Sequence, residues 1–382
     1  HILSIEDCID AVDVETICIL VGMMLLVAVI KNSGIFEYIA IKAAKIAKGR
    51  PWPIMVIFIF ITAVCSGMLD NVTTVLLVGP MTLAITNILK VDPVPYIITQ
   101  IMASNIGGTA TLIGDPPNIM IGSAAKLSFV DFILNTGVAT VFVIIVGLIC
   151  MYFIYGRKLF VTDESIVKVM QLDENKAIKD RKLMHESVIV IILVALCFIF
   201  HDQLGVQSCT VAIAAACIML LIGGQEPEEI IADVEWPTIL FFIGLFIVVG
   251  GMKKVGVITM LANGLISITH GNMVVTMMVI LWVSAIVSSF LDNIPFVATL
   301  IPMILTMQSE GMDVTPIWWA LSLGACLGGN GTLIGASANV VLSGISKNNG
   351  HPITFGQYFK IGFPMMILSI IVCSVFLLIR FA

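Results

Sequence analysis

The sequence predicts an all-α polytopic membrane protein made of two inverted structural repeats, each with a re-entrant hairpin and a broken helix. First, 59% of its 382 residues are hydrophobic and only 12% are charged, whereas a soluble domain carries about 25% charged residues. Second, several apolar runs reach the ~20 residues that a membrane helix needs. Third, the sequence repeats itself at a nearly constant offset of 222 residues.

The internal duplication defines the folding unit. Similar residues recur at the same offset in three separate stretches, which indicates that one structural unit occurs twice. The matched stretches are 16–31 with 238–253, Leu69-Asp70-Asn71 with Leu291-Asp292-Asn293, and Pro80 with Pro302.

Each repeat should contain the same five elements in the same order. A membrane helix comes first, followed by a short, less apolar helix that in the first repeat is expected to lie along the membrane interface. A long apolar segment interrupted by the Asp-Asn pair, a helix broken by glycines and a closing helix complete the unit. The predicted ranges are 16–31 and 238–252, 35–49 and 257–270, 52–90 and 273–308, 95–125 and 317–345, and 129–155 and 356–380.

The second repeat has two further helices ahead of this set, at 187–204 and 208–223. The first repeat begins inside the matching loop, so we expect its two corresponding helices to be missing from the N-terminus, by truncation or proteolysis. With them the protein would have ten crossings and two hairpins, and this chain is expected to have eight crossings. The repeats are assigned to residues 1–155 and 187–382, joined by a cytoplasmic linker over 156–186.

The Asp-Asn segments fit either two crossings each or re-entrant hairpins with the pair at the tip. Charge distinguishes these alternatives. With hairpins, five crossings separate Thr16 from Thr238, the repeats are inverted, and 15 of the 19 Lys and Arg residues lie on the side of the linker. This distribution obeys the positive-inside rule, whereas crossing segments would put the basic 31–50 stretch outside. We therefore predict hairpins that open to opposite sides.

Two stretches rich in Gly, Pro and Asn interrupt apolar sequence at matching places, 104–118 and 328–339. Neither composition suits a continuous helix. Irregular backbone at membrane depth is tolerated only where it is buried in protein or lines a cavity. Two such breaks at corresponding positions of two repeats point to the binding site of a secondary transporter.

Three acidic residues lie within the apolar spans at special positions. Asp70 and Asp292 occupy equivalent hairpin tips, and Asp115 lies in the first break, where the second break has Ala336. A carboxylate at membrane depth costs a few kcal/mol and is a functional candidate by default. Carboxylate, amide, hydroxyl and carbonyl oxygens suit a hard cation such as Na+, and a desolvated Asp can instead carry a proton. We expect bound Na+ or H+ and no other cofactor.

The candidate ion- and substrate-binding residues come from the two tips and the two breaks. No Lys or Arg occurs in these segments, which disfavours a multiply charged anion held by Arg. Na+ is expected at Asp70, Asn71, Asp292 and Asn293. The full set is Asp70, Asn71, Thr73, Thr74, Asn105, Gly107, Gly108, Thr109, Thr111, Asp115, Asn118, Asp292, Asn293, Gly328, Gly329, Asn330, Thr332, Ser337 and Asn339.

Structural roles are the alternatives for several of these residues. The glycine pairs 107–108 and 328–329 can serve only to let helices pack closely. Asn105 can act as an interhelical hydrogen bonder, and the three acids can act as helix caps.

The stretches 289–296 and 324–339 resemble P protein-like members of the arsenite permease and sodium–proton antiporter family, and 105–118 is similar as well. The resemblance extends over about residues 5–380. It implies the ion transporter superfamily, which includes divalent anion–sodium symporters. Members of that superfamily have a scaffold domain and a moving transport domain, commonly form homodimers and work as elevators. This sequence has Asp70 and Asp292 where the symporters' tip motifs have Ser, which favours proton or cation exchange.

The resemblance implies scaffold elements at 16–49, 129–155, 187–270 and 356–380, and transport elements at 52–125 and 273–345. The main hypothesis is an ion-coupled secondary active transporter of a small ion or solute, with H+ or Na+ coupling and antiport favoured. The alternatives are a passive anion channel and the export of arsenite or a small organic anion.

Several other classes are not expected. An enzyme is disfavoured because the sequence has no Ser/His, Cys/His or metal-ligand set, and no nucleic-acid partner is expected. The expected location is the lipid bilayer of a bacterial inner (plasma) membrane.

Overall fold

The computed structural model describes residues 2–382, except the side chains of residues 201–204. Residue 1 of the predicted first repeat, and those four side chains in the predicted helix 187–204, therefore lie outside the described residues. All regular elements of the described part are helices, as the sequence predicts.

The first repeat contains the predicted elements in the predicted order. Its closing helix is continuous from Phe129 to Ile154, with a π-helical turn at Ile133–Gly137. The other helices are Ile5–Ala11, Val14–Lys31, Ile35–Ile46, Pro51–Met68, Asn71–Leu89, Val94–Thr109 and Pro116–Ala125.

The second repeat has the same order after its two additional helices. A short helix, Pro227–Ala232, corresponds to Ile5–Ala11 at the offset of the duplication. The other helices are Arg181–Leu204, Ser208–Ile222, Trp236–Lys254, Val257–Thr269, Met273–Phe290, Asn293–Ser309, Thr315–Gly328, Ser337–Asn348 and Phe355–Phe381.

Local signals determine where many of these helices begin. Pro51, Pro116 and Pro227 occupy first-turn positions, where the missing N–H of proline costs no hydrogen bond. Thr354 forms a reciprocal capping box with Gln357, which satisfies backbone donors at the start of the long C-terminal helix.

The linker is shorter than predicted, and part of it is helical. The helix expected from residue 187 already begins at Arg181, because the Asp180 carboxylate accepts hydrogen bonds from the backbone N–H groups of Lys182 and Leu183 at 2.8 and 3.0 Å. The linker also contains a helix, Asp163–Met170, whose Val169 is fully buried against the first hairpin and its neighbours. The linker is therefore packed onto the first repeat.

Ion pairs show that helices Val14–Lys31 and Trp236–Lys254 run in opposite directions. Lys31 pairs with Asp233 at 2.7 Å, and Lys254 pairs with Asp7 at 2.6 Å. Such exposed pairs contribute little stability, but they show which helix ends are neighbours. We call the end with Lys31 and Asp233 the linker end and the end with Asp7 and Lys254 the far end.

Other contacts agree with this assignment of ends. Lys45 pairs with Glu174 of the linker at 2.6 Å, so the short helix Ile35–Ile46 also lies at the linker end. The ion pairs thus join residues that the charge distribution places on the same side of the membrane.

The two hairpins open to opposite ends of the protein. The Tyr96 hydroxyl donates to the Pro51 carbonyl oxygen at 2.9 Å, so the first hairpin and the first broken helix start together. The second half of the second broken helix, Ser337–Asn348, packs along the same hairpin, and its Leu342 side chain lies next to Gly79. Trp319, near the start of the same broken helix, lies at the opposite end of the protein. There its ring centroid is 5.3 Å from that of Phe132. The broken helices are therefore antiparallel, as inverted repeats require.

Eight helices of the described part are long and apolar enough to cross a bilayer. Three of them are arms of the predicted hairpins, so length and composition do not separate re-entrant arms from crossing ones. The re-entrant depth of the hairpins stays a prediction. The eight are Val14–Lys31, Pro51–Met68, Asn71–Leu89, Phe129–Lys158, Arg181–Phe200, Trp236–Lys254, Met273–Phe290 and Phe355–Phe381.

Two equivalent glycines provide a test of the fold. A Cβ at Gly22 would lie 2.7 Å from the backbone carbon of Ala212, whereas a Cβ at the corresponding Gly244 would meet nothing within 4 Å. We expect Gly22→Leu to lower the free energy of unfolding by about 1–3 kcal/mol through overpacking, with Gly244→Leu nearly neutral. Thermal unfolding in detergent, followed by tryptophan fluorescence, measures both. An equal loss in the two variants would contradict the packing described here.

Candidate functional site

Each broken helix is interrupted in the middle by a short irregular segment. The first ends at Thr109 and resumes at Pro116, and the second continues through a 3-10 turn, Gly329–Gly331, and resumes at Ser337. The irregular backbone is thus shorter than the stretches 104–118 and 328–339. Residues 105–109 are helical and complete the first half-helix. Glycines are tolerated at 107 and 108 because another chain segment packs closely against each of them.

Glycines allow the backbone to cross itself at both breaks. A Cβ at Gly114 would lie 2.7 Å from the carbonyl oxygens of Gly108 and Ser66, and a Cβ at Gly335 would lie 2.7 Å from that of Gly329. Gly107 and Gly328 have a related role, because a Cβ on either would collide with backbone of a hairpin arm. The two glycine pairs therefore permit the close approach of hairpin and break.

An asparagine after each break returns to bond the end of the preceding half-helix. Asn118 Nδ2 contacts three carbonyl oxygens, those of Gly108, Thr109 and Thr111, at 2.9–3.2 Å. Asn339 Nδ2 donates to the Gly329 and Thr332 carbonyls at 2.7 and 2.8 Å. These bonds satisfy carbonyl groups that the helix end leaves unpaired in a dry interior.

The same asparagines connect the two repeats. Asn118 Oδ1 accepts a hydrogen bond from Ser322 Oγ at 2.6 Å, and Cys326 Sγ lies 3.5 Å away. Asn339 Oδ1 accepts from Asn105 Nδ2 at 2.9 Å. Asn105 is the counterpart of Cys326 at the offset between the two breaks. Each half-helix of one repeat thus contacts the break asparagine of the other, and Asn105 acts as an interhelical hydrogen bonder.

Hydroxyl groups tie each hairpin tip to its own break. Thr111 Oγ1 donates to the Gly67 carbonyl oxygen, and Thr332 Oγ1 donates to that of Ser289. Ser66 Oγ donates to the Ser104 carbonyl oxygen at 2.7 Å. Tip and break therefore form one unit in each repeat.

Asp70 and Asp292 cap the second arms of their hairpins. Asp70 accepts from the backbone N–H of Thr73 at 2.9 Å and from its hydroxyl. Asp292 accepts from the Ile294 backbone N–H at 3.1 Å and from Ser337 Oγ at 2.8 Å. Asp70 is buried and Asp292 is half-buried. A carboxylate at a helix N-terminus is also stabilised by the helix dipole, so capping and ion binding are compatible roles.

Asp115 lies between the two hairpin tips and is fully buried. Asn71 Nδ2 of the first tip donates to its Oδ1 at 3.2 Å, and Asn293 Nδ2 of the second tip donates to its Oδ2 at 3.2 Å. The Asp115 side chain makes no capping hydrogen bond to its own helix. The equivalent asparagines of both repeats therefore converge on one carboxylate that has no acidic counterpart.

A cavity of about 30 Å³ adjoins this carboxylate. A space of ~10–15 Å³ already holds a water molecule, so this cavity suits one or two waters or a small ion. Three carboxyl groups, those of Asp70, Asp115 and Glu235, lie at its wall, and no basic side chain is among its described lining residues. The other lining residues are Leu20, Met24, Asn71, Val72, Pro116, Thr238, Asn293, Ile294 and Ser337.

Oxygen atoms dominate the ligands that this cavity offers to a cation. Carboxylate, amide and hydroxyl oxygens favour hard cations such as Na+ over softer metals. Within the described part of the chain, no three His, Cys, Asp or Glu side chains are arranged as a metal centre. The geometry fits an alkali cation or a proton held among Asp70, Asp115 and the tip asparagines.

Of the remaining candidates, Ser337 also lines the cavity, whereas Asp292 and the others surround this centre. The Thr109 hydroxyl bonds to the Asn105 carbonyl oxygen of its own helix, and the buried Thr74 hydroxyl has no hydrogen-bond partner. Asn330 Oδ1 accepts from Asn105 Nδ2 at 2.9 Å.

Glu235 and Thr238 were not among the candidates from sequence. Both belong to the start of a helix rather than to a tip or a break. The duplication contained a signal for them, because Asp13 and Thr16 occupy the equivalent positions in the first repeat.

Comparison with known proteins finds relatives that cover almost the whole chain. A family model described as citrate transporter, CitMHS, matches residues 1–324. An uncharacterized transporter of Mycobacterium tuberculosis is 42% identical over 374 residues, which are 97% of this chain and 87% of the relative. The human P protein is 31% identical over 456 residues, 98% of this chain and 54% of the P protein, so this chain spans about half of that relative.

A solved structure shares the fold. The YdaH transporter of Alcanivorax borkumensis, whose crystal structure is described as revealing an unusual topology, superposes with a TM-score of 0.56 and 16% identity. The superposition covers 94% of this chain and 83% of that one. The apolar spans and the mycobacterial relatives identify an integral protein of a bacterial inner membrane.

The hydrogen bonds to Asp115 allow a double-mutant cycle. Asn293→Ala leaves a buried carboxylate oxygen with one donor fewer, so we expect a loss of about 1–3 kcal/mol in the free energy of unfolding. In an Asp115→Ala background the same change should cost much less, because the acceptor is gone. Thermal unfolding of the single and double variants measures the coupling, with the exposed Asn87→Ala as control. Equal costs in the two backgrounds would show that Asn293 acts independently of Asp115.

The backbone crossing at the first break allows a second test. Gly114→Ala would force a Cβ against two backbone carbonyls, whereas Gly344→Ala, in the helix after the second break, meets nothing within 4 Å. We expect the first variant to unfold at a clearly lower temperature and the second to keep or raise the stability, since alanine favours a helix by about 1 kcal/mol. A stable Gly114→Ala variant would refute the close crossing.

Proposed function

The chain belongs to the citrate transporter family described by the matching family model, and from this premise we propose that it is an ion-coupled secondary active transporter. The coupling ion is H+ or Na+, and antiport is the favoured mode. The observation that carries this proposal is Asp115, a carboxylate held between the two hairpin tips by Asn71 and Asn293. Because Asp115 is hydrogen-bonded to one residue of each repeat, both repeats contribute to the proposed ion site.

The charge of the site favours a cation or a proton as the species that binds there. Three carboxyl groups at one small cavity cannot all remain ionised without compensation, because like charges at short distance in an apolar medium repel strongly. Na+ or protons supply that compensation. A change in the number of bound cations then alters the charge that the site carries across the membrane, which is the basis of coupling.

A moving transport part fits the way in which the contacts are distributed. Hairpins and broken helices, 52–125 and 273–345, are tied to each other by the hydrogen bonds of the tips and the break asparagines. The scaffold is assigned to 16–49, 129–155, 187–270 and 356–380. We extend the proposal to an elevator in which the first group moves as a body against the second, and to a homodimer built through the scaffold.

The cargo of the family model, citrate, defines the second candidate function. An organic anion can approach this acidic site only if bound cations neutralise the carboxyl groups first. The alternative function is therefore the export of a small organic anion or of arsenite.

Transport assays in proteoliposomes test the proposal. We expect uptake to depend on an imposed Na+ or H+ gradient, and Asp115→Asn or Asp70→Asn to abolish this dependence because each removes a charge from the ion site. We expect the same of Asp292→Asn, which removes the charge of the second tip. The exposed linker variant Asp163→Asn is the matched control. Citrate, arsenite, Na+ and H+ are compared as cargo.

Two results would overturn the proposal. One is wild-type coupling that survives in all three variants. The other is a current that follows the electrical gradient without saturation, which is typical of a passive anion channel rather than of a carrier.

A further inference from the structure

A fourth carboxyl-bearing element meets the tips from outside the hairpins and breaks. Glu235 lies at the N-terminus of helix Trp236–Lys254 and lines the central cavity together with Asp70. Its Oε2 accepts a hydrogen bond from Thr238 Oγ1 at 3.2 Å. The cavity is thus walled by two acids from the proposed transport part, Asp70 and Asp115, and one from the proposed scaffold, Glu235.

The first repeat contains the same local arrangement. Asp13 precedes helix Val14–Lys31, as Glu235 precedes its counterpart, and Asp13 Oδ2 accepts from Thr16 Oγ1 at 2.7 Å. Asp13 does not line the cavity, and this helix contributes Leu20 and Met24 from its middle instead.

The two scaffold helices therefore face the cavity at different levels. The first helix lines the cavity with residues 20 and 24, and the second helix lines it with residues 235 and 238. At the offset of 222, residues 235 and 238 correspond to residues 13 and 16 of the first helix. The levels differ by about seven to eight residues, or ~11 Å along a helix at 1.5 Å per residue. The site is displaced toward the linker end, because the second helix begins there.

Inverted repeats relate this state to a second one. If the repeats exchange their roles, the tips lie beside residues 13 and 16 of the first helix and beside the middle of the second. This exchange keeps every contact between tips and breaks and moves the site toward the far end by the same ~11 Å.

We propose that Glu235 and Asp13 are alternating scaffold partners of the two tip carboxylates: Glu235 shares the cavity with Asp70 in the state seen here, and Asp13 takes the equivalent place beside Asp292 in the opposite state. This inference rests on the proposed function, since it assigns the two acids to the two end states of a transporter. In this proposal Glu235 and Asp13 are direct cation ligands, because each completes the set of oxygens around a cation that the tips hold.

The chemistry explains why an acid is useful at both places. In each end state a scaffold carboxylate adds an oxygen ligand and a negative charge to the cation site. Midway between the states neither scaffold acid reaches a tip, so the cation is held less tightly there. A cation that binds both end states through different scaffold acids can be taken up on one side and released on the other.

Cysteine cross-linking distinguishes the two states. Thr238→Cys with Val72→Cys joins two residues that line the cavity, and Thr16→Cys with Ile294→Cys is the equivalent pair at the offset of 222. We expect both disulfides to form in membranes, each blocking transport, with Na+ or pH changing their proportion. Single-cysteine variants control for the nine native cysteines. Formation of the first pair alone, under every ion condition tested, would overturn the inference.

A second measurement does not depend on the cysteine variants. We expect Glu235→Gln to raise the half-saturating Na+ or H+ concentration at least about fivefold when the ion is supplied at the linker end, and Asp13→Asn to do so at the far end. The exposed Glu229→Gln serves as control. The same change at both ends in either variant, or no change in either, would contradict alternating partners.

The two readouts separate this inference from the proposed function. If both disulfides form but no gradient drives uptake of any cargo, the transporter assignment fails while the two-state geometry stands. If uptake is gradient-driven but the Thr16–Ile294 pair never forms, the transporter assignment stands and the exchange of scaffold partners fails.

Discussion

A carboxylate in an apolar interior must be hydrogen-bonded or neutralised, and the architecture of this protein depends on how that need is met at Asp115. Its two amide donors, Asn71 and Asn293, come from opposite repeats. Each donor requires its hairpin tip to reach the middle of the molecule, and each tip is placed by hydroxyl bonds to its own break. The inverted repeat, the hairpins and the interrupted helices thus serve one constraint.

The symmetry of the framework makes the asymmetry of the site informative. Caps, break asparagines and tip hydroxyls occur in matched pairs, yet Asp115 has Ala336 as its counterpart. If the repeats exchange their roles as proposed, a single acid shared between two equivalent amide donors serves both states. A second acid at position 336 would add a further buried charge without adding donors, at a cost of several kcal/mol if unpaired.

The sequence predicts the framework because its signals are local or duplicated. Glycine and proline at the breaks, the Asp-Asn tips and the constant offset each appear within short stretches of chain. The convergence of Asn71 and Asn293 on Asp115 is not visible there, because those contacts join residues 44 and 178 positions apart. Glu235 is not predicted as a site residue because it lies just outside an apolar span. The early start of the helix at Arg181 is missed because polar residues extend it beyond its apolar part.

The crossed contacts of the break asparagines have a consequence for biosynthesis. Asn118 bonds to Ser322, 204 positions away, and Asn105 bonds to Asn339, 234 positions away. At ~5–20 residues per second, a ribosome needs roughly 10–50 s to supply those partners. During this interval the first half resides in the membrane with buried amides that lack their final acceptors and donors. Until Ser322 and Asn339 are in place, water, lipid headgroups or a chaperone must shield these amides.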